Sequence, residues 1–147
     1  EMQSFYLTEN WKEIYTNAYG LGKTANSIGG FTFQFSDGWW KLGQTINLDV
    51  HDEEANWTNN GYDIDTKNNS QNMNEEWFGI TAKGFSDAEG LYQLYPRAAY
   101  YVLQKLHQIN PYQKGITANK IKKKIYKINQ NKALKRGLKN KMLLEKK

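Results

Sequence analysis

Charge is divided unevenly along this chain of 147 residues, and the division constrains its organisation more than any other feature. Residues 113–147 hold twelve Lys, one Arg and a single acidic residue, Glu145, for a net charge of +12. Residues 1–112 carry −7, so the overall charge of +5 and the pI of 9.2 describe neither part. A uniformly basic nucleic-acid-binding domain is therefore not indicated. We predict a folded segment over 1–112 and a Lys-rich tail or linker over 113–147, divided near Pro111–Gly115.

Composition excludes several protein classes. The chain has no Cys, which excludes a disulfide framework and any cysteine-ligated zinc or iron–sulfur site. Its longest uncharged runs are far shorter than the roughly 18 apolar residues that cross a bilayer, and no signal peptide is visible. The mean hydropathy of −0.84 is low, but 14% aromatic residues is high for a disordered chain. We expect one part to fold around aromatic side chains.

Two segments show the period of a helix. The first runs from about Asn10, a candidate N-cap, to Tyr19, and glycines stop it. Its predicted apolar face consists of Trp11, Ile14, Tyr15, Ala18 and Tyr19. The second runs from about Pro96 to Gln108 and ends at Asn110. Its predicted apolar face consists of Ala99, Val102, Leu103, Leu106 and Ile109.

Between these helices we predict one strand and a long loop. Phe31, Phe33 and Phe35 alternate with polar residues, which is the period of a strand ending at Asp37. Residues 43–76 show no sustained period and are rich in Asn, Asp and Glu, and loops of this length are often functional. A short apolar stretch over 77–80 follows, and then a turn over 87–90.

This inventory indicates part of a larger fold. A single strand leaves its N–H and C=O groups without partners, so it cannot form a sheet alone. The order helix, strand, long loop, helix fits α/β architecture and matches the closing quarter of a (β/α)8 barrel, which needs about 250 residues in all. Ligands in such barrels bind at the C-terminal ends of the strands, which here are residues 36–40 and the loop after them.

Two motifs resemble a known family. Gly29 to Asp37 (GGFTFQFSD) resembles the eighth barrel strand of the clan A retaining glycoside hydrolases, most closely the family 2 group of β-galactosidases and β-glucuronidases. Gly90 to Tyr101 (GLYQLYPRAAYY) resembles that group's entry into the last barrel helix. The family's Trp in strand eight, the floor under the sugar, is Phe35 in this chain. The loop between Trp40 and Trp77 is longer than the family's usual connection.

The resemblance implies a C-terminal portion of a TIM barrel that cleaves β-linked glycans by double displacement. Such enzymes use two carboxylates about 5–5.5 Å apart, which the family places on strands four and seven. Neither strand lies in this chain, so we expect the chain alone to be inactive and to need an upstream barrel segment of the same enzyme. The resemblance also implies an extracellular or periplasmic enzyme without a cofactor.

The predicted substrate-binding residues lie at the strand end and along the long loop. They are Phe35, Asp37, Trp39, Trp40, Asn74 and Trp77. Aromatic faces suit the C–H side of a sugar ring, and a carboxylate suits its hydroxyl groups. A structural role stays open for each: Asp37 also fits an Asp–Gly turn, and one Trp of the Trp39–Trp40 pair also fits packing under the loop.

Metal binding is not indicated. The acidic stretches starting at Asp52 and Asp63 lack the Gly and Glu that the EF-hand pattern requires at its sixth and twelfth positions. Phosphate-binding, Ser-His-Asp and zinc patterns are not found either. We therefore expect no metal and no cofactor; the alternative that these acidic stretches leave open is an irregular calcium site.

The tail and the chain as a whole leave alternatives open. Ile121, Ile125 and Ile128 share one helical face, and Leu134, Leu138 and Met142 share another, with a break in phase between them. The tail fits a solvated, partly helical extension, an anion-binding or nucleic-acid-binding segment, or a segment attracted to acidic polysaccharide. The scarcity of aromatics after residue 112 argues against nucleic acid. A non-catalytic carbohydrate-binding module is the alternative for the whole chain.

Overall fold

The computed structural model describes residues 2–38 and 78–146. Within them the chain forms α1 (Met2–Thr16), β1 (Thr81–Ser86), β2 (Tyr92–Pro96), α2 (Ala98–Leu106), α3 (Ala118–Tyr126) and α4 (Gln130–Leu144). These elements group into two compact units. We call residues 1–32 with 96–147 the helical unit, and residues 33–95 the hairpin unit.

Helix α1 begins earlier than the sequence predicts. The prediction placed its start at Asn10, but the helix begins at Met2, and Asn10 is an exposed residue within it. The first turns of the helix bury Ser4 and Thr8. Both side chains are polar, so they do not add to an apolar pattern in the sequence. The Thr8 hydroxyl donates to the Ser4 carbonyl oxygen at 2.7 Å, so the buried Thr8 hydroxyl has an acceptor within the helix. Trp11, predicted on the apolar face, is buried as expected.

Helix α2 confirms the predicted helix and its apolar face. The helix occupies Ala98–Leu106, within the predicted range. All five predicted core residues are at most 7% exposed: Ala99, Val102, Leu103, Leu106 and Ile109. Helices α1 and α4 both pack against α2, which makes it the centre of the helical unit.

The Lys-rich segment is part of the helical unit. The predicted boundary near Pro111–Gly115 does not separate two compact units, because α3 packs on α1 and α4 packs on α2. Ile121 and Ile125 on α3 are 0% and 2% exposed, as completely buried as the centre of α2. The lysines of α3 all point to solvent, so two isoleucines attach a helix that is otherwise charged.

Helix α4 does not pack through the face that carries its large apolar residues. Leu138 and Met142 are 50% and 58% exposed, whereas the small Ala133 is buried. Gly137, four residues later, approaches α2 so closely that a Cβ atom on it would lie 2.6 Å from the backbone nitrogen of Ala98. Small side chains therefore form the contact face, because they let the two helix backbones meet.

The predicted strand over 31–37 is wrong as a strand. The structure gives this segment an isolated parallel bridge between Ser36 and Thr81. Its alternating Phe31, Phe33 and Phe35 are 107%, 68% and 58% exposed. Exposed Phe residues do alternate with less exposed polar residues, but the described residues do not form a sheet that would cover the Phe rings.

The strands of the hairpin unit were missed. β1 and β2 form a two-stranded sheet around the turn predicted at 87–90, and that turn is confirmed. The Asp87 side chain accepts hydrogen bonds from the backbone N–H groups of Glu89 and Leu91 at 3.0 and 2.8 Å, and Gly90 takes a φ of +77°. β1 contains Gly84 and β2 ends in Pro96, and both residue types weaken a strand prediction. The described fold is mixed α/β, and the barrel portion stays a prediction.

Candidate functional site

In the hairpin unit the predicted sugar-site segment pairs with the residues that precede and start β1. The N–H groups of Ile80 and Thr81 donate to the carbonyl oxygens of Gln34 and Phe35, each at 2.9 Å. The Asp37 N–H donates in return to the Thr81 carbonyl oxygen at 3.2 Å. The end of the predicted strand is therefore held by backbone bonds to a segment more than 40 residues away in sequence.

Asp37 is fixed at the centre of this pairing. Its side chain is 1% exposed, and its Oδ1 accepts the Gly79 backbone N–H at 3.1 Å. A Cβ atom on Gly79 would lie 2.5 Å from the Ser36 carbonyl carbon and 2.6 Å from the Thr81 oxygen, so only glycine fits there. The carboxylate thus orders the backbone around it. This contact fits the structural role that the sequence left open for Asp37.

Phe35 combines a fixed backbone with an accessible ring. Its carbonyl oxygen accepts both the Thr81 N–H at 2.9 Å and the Thr81 hydroxyl at 2.8 Å. Its side chain is nevertheless 58% exposed. An exposed aromatic ring can stack on the apolar side of a sugar ring, and a backbone that is already ordered does not have to be immobilised when the sugar binds.

The other predicted site residues lie outside the described part of the chain. They are Trp39, Trp40, Asn74 and Trp77. Among the described residues, Asp37 accepts the Gly79 backbone N–H, so the described segment that ends at residue 38 is bonded to the one that starts at residue 78.

Sequence reasoning missed a buried cation in the hairpin. Lys83 on β1 is 4% exposed, and its ammonium group lies 3.8 Å from the ring centroid of Tyr92 on β2. Such a cation–π contact stabilises a desolvated ammonium by about 2 kcal/mol. The signal in the sequence was the position of Lys83 between the small residues Ala82 and Gly84.

A second feature, in the helical unit, is a cleft of about 470 Å³ that we call the basic cleft. It lies between α2, the end of α3 and the first turns of α4. Its lining residues are Tyr101, Lys105, Gln108, Ile109, Lys124, Lys127, Ile128, Asn129, Lys132, Ala133 and Arg136. Five of them are cationic and none is acidic. The ion pairs recorded among the described residues, Lys12–Glu9 and Lys141–Glu145, involve none of the five.

One wall of the basic cleft is pre-ordered. The Arg136 guanidinium lies 3.8 Å from the centroid of the Tyr101 ring. The Tyr101 hydroxyl accepts a hydrogen bond at 2.8 Å from the Asn140 amide, which also donates to the Pro96 carbonyl oxygen at 2.7 Å. The arginine therefore rests on a ring whose hydroxyl is bonded to Asn140 of α4, and the Asn140 amide is itself bonded to the Pro96 carbonyl oxygen.

The floor of the basic cleft lies where α3 turns into α4. Three residues, Lys127 to Asn129, join the two helices. The Asn129 side chain accepts the Lys132 N–H at 2.8 Å and caps α4. This cap fixes the direction in which Lys132 and Arg136 leave the helix, four residues apart on one face.

Metals and membranes are not indicated for the described residues. They contain no group of three or more His, Cys, Asp or Glu side chains that could hold a metal ion. None of their helices is long and apolar enough to cross a membrane.

Comparison with protein-family profiles, with curated proteins and with solved structures finds no match to this chain. The functional argument therefore depends on the residues and on their geometry.

Proposed function

We propose that this chain is the closing portion of a retaining glycoside hydrolase that acts on β-linked glycans, and that it supplies one wall of the sugar site. The observation that carries the proposal is the backbone pairing of residues 34–37 with 79–81. The pairing supports the proposal because it orders the backbone of Phe35, whose ring is exposed, and of Asp37, two residues that the resemblance assigns to the sugar site.

The roles within this wall differ. Phe35 stacks on the apolar side of a sugar ring, as the family's Trp does. Asp37 is a positioning residue, because its oxygen holds the Gly79 N–H and its side chain is covered. Trp39, Trp40, Asn74 and Trp77 complete the predicted substrate contacts.

The bond-breaking residues are expected in the upstream barrel segment. There one carboxylate attacks the anomeric carbon and forms a glycosyl–enzyme while the other protonates the leaving oxygen. Water, deprotonated by the second carboxylate, then releases the sugar. This chain contributes binding and closure, and we expect the intact enzyme to act outside the cytoplasm without a cofactor.

Exposed aromatic side chains support the need for further chain. Phe31, Phe33 and Phe35 are all more than half exposed. Large exposed apolar patches mark surfaces that are covered by other chain or by ligand. In the proposed enzyme, neighbouring barrel strands cover Phe31 and Phe33, and the sugar covers Phe35.

The size of the native gene product tests the proposal first. An antibody raised against this segment should detect a protein far larger than 17.1 kDa, and β-glycosidase activity should copurify with it. A stable native product of 17.1 kDa would contradict the proposal. A tryptophan fluorescence shift of that small product with neutral oligosaccharide would then indicate a carbohydrate-binding module.

A matched pair of variants in the intact enzyme tests the site. Phe35→Ala should raise KM for the glycan about tenfold, because loss of one stacking ring costs roughly 1–1.5 kcal/mol of binding. Phe85→Ala is the control, since Phe85 is similarly exposed at 65% but lies on the hairpin. Equal effects of the two changes would remove the reason for placing the sugar at Phe35.

A further inference from the structure

We propose that the basic cleft is a second carbohydrate site, which binds the carboxylate or sulfate groups of an anionic glycan. The inference rests on the proposed function, because it takes the ligand to be a glycan. It concerns other residues, however, in the helical unit, and it needs no catalytic group.

The size and charge of the cleft fit a charged oligosaccharide unit. A volume of about 470 Å³ lies within the range of small-ligand sites, about 300–1,000 Å³. The lining holds Lys105, Lys124, Lys127, Lys132 and Arg136 and no carboxylate. Five cations that converge on one concave surface repel one another, and an anionic ligand relieves this repulsion. The walls also concentrate the field inside the cleft.

Arg136 provides the specific contact. Its guanidinium is held on the Tyr101 ring, which the Asn140 amide fixes through the Tyr101 hydroxyl. A planar fork of N–H donors matches two oxygens of a carboxylate or sulfate group, and less entropy is lost when the fork is already placed. The lysines act as point charges around it.

Amide groups favour a glycan over a simple anion. Gln108 and Asn129 lie in the same lining. Their side chains can donate to and accept from hydroxyl groups, which a glycan presents beside its charges. Asn129 is fixed as well, because its oxygen caps α4 through the Lys132 N–H.

The same lining disfavours nucleic acid. Single strands are bound through aromatic rings that stack on the bases. The one aromatic residue in the cleft, Tyr101, already stacks with Arg136. Tyr126 is the sole aromatic residue after Tyr112, and it does not line the cleft.

Calorimetric titration of the full chain with defined oligosaccharides tests the proposal. The anionic probes are a heparin-derived hexasaccharide, which carries sulfate, and an oligogalacturonate hexamer, which carries carboxylate alone. Cellohexaose is the neutral probe, and a short DNA duplex is the rival polyanion. We expect at least one anionic hexamer to bind, with affinity that falls as salt rises, and cellohexaose not to bind to the cleft.

Two double variants with equal charge separate the cleft from the rest of the basic surface. Lys127→Gln with Lys132→Gln removes two of the five cations from the lining and should weaken binding about tenfold, because the anionic ligand loses two charge-assisted contacts in the cleft. Lys122→Gln with Lys139→Gln removes two exposed cations from the same helices outside the lining, and should change Kd less than about twofold. Arg136→Lys keeps the charge but loses the planar fork, and should weaken binding about threefold or more.

Three results would overturn the inference. Equal losses in the two double variants would mean diffuse attraction to the whole basic surface. Tighter binding of the DNA duplex than of either anionic hexamer would assign the cleft to nucleic acid. The third is lack of binding by both anionic hexamers while circular dichroism shows a folded chain. Each result is independent of the size and the hydrolytic activity of the native product, so failure here is distinguishable from failure of the proposed function.

Discussion

The helical unit and the hairpin unit are held together in different ways. In the helical unit, apolar side chains at helical spacing are buried: Leu106 and Ile121 are both 0% exposed. In the hairpin unit, the segment around Asp37 is held by backbone hydrogen bonds to Thr81 and by the Asp37 carboxylate. The comparison shows that two buried isoleucines attach the charged helix α3, whereas the irregular segment around Asp37 depends on close backbone approach at Gly79.

The largest expected effect is on the helical unit. Ile121→Ala should lower the free energy of unfolding by about 3 kcal/mol, because it empties a fully buried position. Leu138→Ala, at 50% exposure on α4, should cost less than about 1 kcal/mol. Urea unfolding followed by circular dichroism measures both. If Ile121→Ala has no more effect than Leu138→Ala, residues 113–147 are the solvated tail that the charge division predicts.

A change at Gly79 tests the backbone fit in the hairpin unit. Gly79→Ala brings a methyl group against the Ser36 carbonyl carbon and the Thr81 oxygen, and should cost about 2 kcal/mol locally. Hydrogen exchange at the Ile80 and Thr81 amides should accelerate roughly 30-fold, since these amides donate to the 34–35 carbonyls.

Gly90→Ala is the matched control for this change. A Cβ atom there meets nothing within 4 Å, and its φ of +77° leaves a strain of about 1 kcal/mol confined to the turn. Unchanged exchange at Ile80 and Thr81 in Gly79→Ala would mean that the pairing does not hold this segment.

For Gly137→Ala, helix propensity and packing predict opposite changes in stability. Alanine is better than glycine in a helix interior by about 1 kcal/mol, so propensity alone predicts a more stable protein. The added methyl group would lie 2.6 Å from the Ala98 backbone nitrogen, and such overpacking costs about 1–3 kcal/mol. We expect net destabilisation of about 1 kcal/mol in thermal unfolding. Lys135→Ala, exposed on the same helix, should be neutral; a stabilised Gly137→Ala would show that α4 does not pack closely on α2.

The smallest effect concerns the cap of α4. Asn129→Ala removes the acceptor of the Lys132 N–H and should cost about 1 kcal/mol. Asn129→Ser restores an acceptor and should recover most of that loss in the same denaturant titration. Thr117→Ala removes the corresponding cap of α3, where the bond to the Lys120 N–H is 3.2 Å, and should cost about the same. If Asn129→Ala leaves the free energy of unfolding unchanged, solvent satisfies the Lys132 N–H equally well.

Prediction from sequence succeeded where the spacing of apolar residues matches the residues that are buried. The apolar face of α2 and the turn at 87–90 are both confirmed. Prediction failed at α1, where Ser4 and Thr8 look polar in the sequence but are buried, and the Thr8 hydroxyl finds its acceptor within the helix. It failed again at α4, where Gly137 and Ala133 form the contact and Leu138 remains exposed.

For the candidate sites, the sequence predicted Asp37 and Phe35 as sugar-site residues, and their contact with a sugar stays a prediction. It did not reveal that Gly79 would bond to that carboxylate, because partners 42 residues apart leave no periodic signal. The basic cleft likewise joins residues of α2 to residues of α3 and α4, so a charge count along the chain predicted a tail and not a cavity.

The sequence by itself determined where the charges lie, which segments can be helical, and which residue types could contact a sugar. These are local properties, set by spacing and by side-chain chemistry. The tertiary structure alone decided that α3 and α4 belong to the helical unit, that Asp37 is covered, and that five cations share one cleft. Each of these depends on close approach between distant segments, which small residues such as Gly79 and Gly137 allow and which no local pattern specifies.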